Sequence, residues 1–179
     1  MRFISYLNNN EARWGAVTDG DKIVDLSDQA DTLKAAIEQD LLSSLSINEG
    51  DASLSLDEVT LLPPITAPEK IICIGVNYAN RNAEYKDGSE APKFPSVFMR
   101  TPDSLTGHDS PLIRPPESHQ LDYEGEIVVV IGKGGRRIPE DQAYQHIAGL
   151  TIMNEGTLRD WVRHAKFNVT QGKNFVHSG

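Results

Sequence analysis

The chain has 179 residues, 39% of them apolar and 24% charged, the make-up of an ordinary globular protein with room for one packed domain and a small appendage. A formal net charge of -9 argues against a nucleic-acid partner, and Lys133, Arg136 and Arg137 form only a short basic turn. One cysteine, Cys73, excludes an intrachain disulfide and a multi-cysteine metal cluster; the beginning lacks a secretory leader and no run is long enough to span a bilayer, so the default expectation is a cytoplasmic protein without a membrane partner.

Residues 2 to 26 read as a small β unit. Arg2 to Leu7 and Arg13 to Thr18 are strands about an Asn8–Glu11 turn, Asp19-Gly20-Asp21 is a hairpin signal, and Lys22 to Leu26 makes a third strand. From Ser27 the period changes. Leu33, Ile37, Leu41 and Leu45 recur every four residues and predict an amphipathic helix within Ser27 to Leu45, capped by Asp31 or Thr32. Residues 46 to 58 return to polar connection, and Leu61-Leu62-Pro63-Pro64-Ile65 with Pro68 reads as a stiff extended linker. The expected division is a small amino-terminal α/β lobe, residues 1–62, and a second domain, residues 63–179.

Ile71 to Val76 predicts a core strand that contains Cys73 as a small core side chain. It runs into a polar stretch in which Arg81 and Glu84, three apart, share a face of a short helix. Pro95 to Arg100 is a further strand. Thr101 to Gln120, broken by five prolines and glycines, is irregular and carries His108 and His119 on the surface. Gly132 to Arg137 is a turn without nucleotide-binding spacing. Pro139 opens a helix through Ile147, Leu150 to Met153 is a short strand ending at Asn154-Glu155-Gly156, and Thr157 to Ala165 is a short helix.

The stretch Asp122-Tyr123-Glu124-Gly125-Glu126 organises the rest. It leads into Ile127 to Ile131, a run apolar at odd and even positions that predicts a strand buried on both faces. A period of two throws Asp122, Glu124 and Glu126 to one side. Carboxylates gathered at a strand mouth call for a basic side chain or a hard divalent cation such as Mg²⁺, Mn²⁺ or Ca²⁺. Glu155, at the end of a second strand, can join them, and three carboxylates suffice for such a cation without His or Cys. The chemistry that follows is electrostatic stabilisation of an enolate of a 2-oxo acid. Lys173 and Arg100 are candidates to hold a substrate carboxylate or developing oxyanion, and Glu84 to act as general base.

The ordered set Gly75-Val76-Asn77-Tyr78, Glu84, Phe98, Asp122 to Glu126 with Val130 to Lys133, Asn154-Glu155 with Arg159-Asp160, and Gly172-Lys173 resembles the fumarylacetoacetate hydrolase family over roughly residues 65 to 175. The resemblance implies an α+β, β-rich fold: a mixed β-roll core preceded by a small α/β lobe, with further roll-closing strands expected beyond Gly179. It implies a homodimeric enzyme, often of aromatic catabolism, that uses Mg²⁺ or Mn²⁺. The main expected activity is hydrolysis of a carbon–carbon bond in a small anionic 2-oxo acid of the acylpyruvate type; isomerisation or decarboxylation of 2-hydroxy-dienoic or oxo diacids, or an inactive homologue, are the alternatives. Carried over by position, Glu124, Glu126 and Glu155 are metal ligands, with Glu155 where the family usually has Asp. Glu84, Lys173 and Arg81 take catalytic positions, Arg81 standing where the family has His, and Tyr78, Arg100 and Lys173 are assigned to substrate.

Overall fold

Antiparallel pairing organises the amino-terminal part of the computed structural model, which describes residues 1–75, 77–78, 93–164 and 171–179. β1 (Arg2–Asn8), β2 (Glu11–Val17) and β3 (Lys22–Asp25) form an antiparallel meander; β4 (Leu54–Ser55) extends it beside β3 and β5 (Thr60–Leu62) beside β1, in the order β4-β3-β2-β1-β5. The first hairpin closes through Asn9 and Asn10 at φ 50° and 65°, the left-handed pair that a two-residue primed turn requires and that Asn tolerates. The inward side chains Trp14, Ala16, Val24 and Leu26 meet Leu33 and Ala36 in one core, where Trp14 also donates its indole N–H to the Ala30 carbonyl at 2.6 Å.

The helix on this sheet, α1 (Leu33–Glu38), is shorter than the leucine stripe predicts. Thr32 starts it by accepting from the Ala35 amide at 3.0 Å. Asp40 stops it: its φ is 55°, and the Asp40 and Leu41 amides donate to the Ile37 and Ala36 carbonyls at 3.0 and 2.9 Å, a Schellman ending. Leu41 and Leu45 still pack on the core, so the period recorded burial beyond the end of the helix.

In the remainder, β6 (Ile71–Gly75) pairs antiparallel with β7 (Ser96–Arg100). β8 (Leu121–Asp122) and β9 (Gly125–Ile131) face β11 (Thr157–Leu158) and β10 (Ile147–Asn154) respectively. The two ladders share one register. Asp122 stands opposite Thr157 and Gly125 opposite Asn154, so the intervening Glu124 falls opposite Glu155, and the Glu155 amide donates to the Glu124 carbonyl at 2.7 Å. The helix expected from Pro139 is a 3-10 run, Glu140–His146, that delivers the chain straight into β10. Thr157 and Leu158 belong to β11, so the next helix, α2 (Arg159–His164), starts later than expected.

β9 is not buried on both faces. Glu126, Val128 and Val130 are partly covered, whereas Ile127, Val129 and Ile131 are exposed together with Leu150 and Ile152 of β10. The apolar run reported strand propensity, and only one side of this hairpin is covered by the described residues. Ile72, Ile74, Val97 and Met99 form a similar exposed face on β6 and β7. His108 and His119 lie on the surface as expected, and among the described residues no helix is long and apolar enough to cross a membrane.

Asp25 ties the amino-terminal sheet together by accepting from the Tyr6 hydroxyl (2.7 Å), the Ser27 amide (2.8 Å) and Arg13 (3.1 Å). Burial works against its charge, but Tyr6, Ser27 and Arg13 outweigh it and hold the carboxyl below its usual range. A depressed folded-state pKa contributes stability above the unfolded value and loses it as pH falls through the folded value. Asp25→Asn should therefore cost about 1–2 kcal/mol at neutral pH and progressively less as the pH falls below the ordinary carboxylate range, read as urea midpoints of the two proteins at each pH.

Candidate functional site

The register sets the site. Glu124 and Glu126 lie on one face by the period of two, and Glu155, opposite Glu124 across the ladder, lies on that same face. One carboxylate oxygen of each falls within 4.8 Å of the other two. At such a separation each pair of charges repels by about 3.5 kcal/mol at an effective dielectric of 20, so the arrangement requires compensation.

Part of it comes from the chain. Lys173, on a short 3-10 turn (Gln171–Lys173), places its ammonium 2.9 Å from Glu124 Oε2 and 3.3 Å from Glu155 Oε2, and donates to Thr157 Oγ1 at 2.8 Å. Glu124 and Thr157 accept hydrogen bonds from it, Glu155 adds an ion pair, and the Phe98 ring, 5.1 Å away, backs the charge. Arg159 at the start of α2 spans Glu124 Oε1 (2.7 Å) and Asp122 Oδ2 (2.9 Å). Arg100, at the end of β7, is buried behind Glu155 with its Nη1 3.9 Å from Oε1. Burial pulls the Arg100 pKa down, opposed chiefly by the charge of Glu155.

The compensation is incomplete. Four carboxylates, Asp122, Glu124, Glu126 and Glu155, face three cations, and Glu126 makes no ion pair among the described residues. Burial and then the charges of Glu155 and Glu124 push its carboxyl up, against a hydrogen bond from Tyr78 and the charge of Lys173. Glu155 Oε1 is buried and receives no hydrogen bond from the described residues. Such an oxygen is costly unless something outside the chain answers it. An all-oxygen donor set with an orphaned buried oxygen and surplus negative charge fits a hard divalent cation.

The sequence-predicted residues divide into three groups. Glu124, Glu126, Glu155 and Lys173 converge, and Tyr78 stands at the half-exposed edge of the cluster with its hydroxyl on Glu126. Arg100 is close by but fully buried, its donors turned to Ser104, Gly156 and Ser178, so the guanidinium is spent inside the protein instead of offering itself to a substrate. Arg81 and Glu84 lie outside the described residues. Thr157 was given no place in the site by the sequence, and Arg159 was read only as part of a motif, without a role. Their signal was parity: Thr157 is two residues beyond Glu155 on the same face of the ladder, and Arg159 begins the helix that follows. Cys73 sits half-buried on β6, where burial first and Glu155 next raise its thiol to about 12, which keeps it protonated and unsuited to nucleophilic attack.

Comparison with known proteins completes the picture. Residues 70–179 match the family model described as fumarylacetoacetate (FAA) hydrolase C-terminal. Oxaloacetate tautomerase YisK of Bacillus subtilis is 46% identical over 122 residues, 66% of this chain and 40% of its own length. The solved structure of a fumarylacetoacetate hydrolase from Exiguobacterium antarcticum superposes with a TM-score of 0.82 at 30% identity, covering 99% of this chain and 63% of that one. That of a probable 2-hydroxyhepta-2,4-diene-1,7-dioate isomerase from Mycobacterium abscessus gives 0.76 at 32% identity, covering 99% and 61%.

The chain thus spans less than half the length of the curated relatives it matches. Their names correct the expectation of carbon–carbon bond hydrolysis: oxaloacetate tautomerases recur among them and an isomerase is among the structures, which favours the isomerase alternative. The carboxylate motif cannot separate the two reactions, because both need charge stabilised on an enol oxygen and only hydrolysis needs an activated water as well. The expected β-rich α+β roll preceded by a small α/β lobe is the fold these superpositions support. On the match of its residues 70–179, the chain belongs to the fumarylacetoacetate hydrolase family.

Proposed function

We propose that this chain carries the cation-binding half of an active site that interconverts the enol and keto forms of a small 2-oxo diacid of the oxaloacetate type. The observation that carries the reading is the convergence of Glu124, Glu126 and Glu155 within 4.8 Å, with Glu155 Oε1 accepting no hydrogen bond from the described residues. The three glutamates would hold Mg²⁺ or Mn²⁺. Such a cation supplies a Lewis acid for the adjacent 2-oxo and carboxylate oxygens of the substrate and lowers the cost of charge at the enol oxygen.

The remaining work falls to side chains. Tautomerisation moves one proton between carbon 3 and the oxygen on carbon 2 and consumes no water. Glu84 is assigned to take the proton from carbon 3, and Arg81, which stays cationic at any physiological pH, to bind the far carboxylate of a diacid. An Arg at that position suits a reaction in which no water is activated. Tyr78, whose hydroxyl is already ordered by Glu126, lies where a substrate oxygen can reach it. Lys173 acts as an internal counter-charge that offsets the repulsion between Glu124 and Glu155 at ligand spacing.

The direct test follows the enol absorbance of oxaloacetate after dilution into buffer with Mg²⁺. The protein should accelerate its decay above the buffer-plus-metal blank, EDTA should abolish the acceleration, and Glu126→Gln should lower kcat/KM by roughly 100-fold or more. Decay no faster than the blank would refute the reading. Lys173→Met should lower the metal-free Tm, since removing one partner of a buried pair costs about 3–5 kcal/mol. Saturating Mn²⁺ should then raise the variant's Tm by more than it raises that of the wild type, because the added cation replaces the lost ammonium; equal shifts would contradict the role given to Lys173.

A further inference from the structure

We infer that Arg100 is a positioning residue for Glu155, a locked guanidinium that lends the third carboxylate its charge without occupying the oxygen a cation needs. This rests on the cation-binding reading above. The side chain of Arg100 is fully buried, and its hydrogen bonds fix the plane of the fork. Nε donates to Ser104 Oγ at 3.1 Å, Nη1 to the Gly156 carbonyl at 3.1 Å, and Nη2 to Ser178 Oγ at 3.2 Å and the Ser104 carbonyl at 3.5 Å. Ser104 is held in turn, donating its hydroxyl to the Thr101 carbonyl at 2.7 Å.

Held this way, Nη1 stands 3.9 Å from Glu155 Oε1. That is beyond hydrogen-bonding reach yet close enough for a substantial attraction in a buried setting. Oε1 therefore feels the charge of Arg100 without accepting a hydrogen bond from any described residue. Lys173 treats the other oxygen differently, approaching Oε2 to 3.3 Å. The two cations thus divide the carboxylate, one engaging an oxygen and the other standing back.

The standoff is built by the backbone. A Cβ on Gly156 would fall 1.8 Å from the Ser178 carbonyl oxygen, so only glycine lets the residue after Glu155 lie against the segment that anchors Nη2. Glu155 carries one more methylene than Asp, and a longer arm has more rotamers to lose; a fixed cation behind it limits where the carboxylate can turn. A lysine in place of Arg100 would keep the charge but lose the fork. Its flexible ammonium would be free to close on Oε1 and occupy it.

The test measures Mn²⁺ affinity by the electron paramagnetic resonance of free Mn²⁺, alongside the metal-free Tm. Wild type, Arg100→Lys, Arg100→Met, Glu155→Gln and the Arg100→Met/Glu155→Gln pair are compared, with Ser178→Ala as the milder variant that loosens the fork and leaves the charge. Arg100→Met and Arg100→Lys should each weaken Mn²⁺ binding by roughly 10–100-fold, and Ser178→Ala by a few-fold. In the Glu155→Gln background Arg100→Met should add less than about 2-fold, the non-additivity of two residues acting through one oxygen. A role confined to folding would lower Tm while leaving Mn²⁺ affinity unchanged or the two losses additive, and either result overturns the inference. Should Arg100→Met fail to fold, unchanged affinity in both Arg100→Lys and Ser178→Ala overturns it equally. Wild type that binds no Mn²⁺ would sink the cation-binding reading itself, whereas tight binding unaffected at Arg100 sinks only this inference.

Discussion

Everything in this site descends from a single antiparallel register. Because Glu126 pairs with Met153 and Asp122 with Thr157, Glu124 must oppose Glu155, and three like charges are forced onto one face of one ladder. A slip of one residue would send Glu155 to the far side and leave an ordinary acidic strand end. The surrounding architecture reads as a response to that constraint. Lys173 is drawn in over Phe98, Arg159 bridges Glu124 and Asp122 at the start of α2, and Arg100 is sealed behind Glu155. Together they offset part of the repulsion among the carboxylates but leave one more acidic group than basic ones, a surplus that suits a cation.

Much of the fold was legible because it rests on local chemistry. The meander of β1 to β3 follows from β-forming segments set between turn residues that accept a left-handed φ, and the Asp31-Thr32 pair announced the start of α1, where Thr32 proves to be the cap. The end of α1 was not legible, since the leucine period continues past Asp40 and only the backbone shows that the chain turns there. The two-sided burial of β9 failed for a related reason. Ile127, Val129 and Ile131 have the composition of a covered strand, and composition does not say whether the covering segment is present.

The three glutamates were visible as a set because a period of two and a strand end already place them together. Arg100 was misread for the opposite reason: an arginine at a strand terminus reads as a hand held out to an anion, and only tertiary packing shows it wrapped around Ser104, Gly156 and Ser178. The reaction was harder still. Hydrolysis and tautomerisation share the same demand for charge stabilisation at an enol oxygen, so the residues that meet it are mute about what happens next. The distinction lies with whichever residues move protons or activate water, which the carboxylate motif does not name, and with the names of the relatives.

The most direct measurement is anomalous diffraction at the manganese edge from crystals soaked in Mn²⁺. The account predicts one peak enclosed by Glu124, Glu126 and Glu155, about 2.1 Å from one oxygen of each, with Glu155 Oε1 among the donors. No peak within the cluster at saturating Mn²⁺, or an ion bound without Glu155, would contradict it.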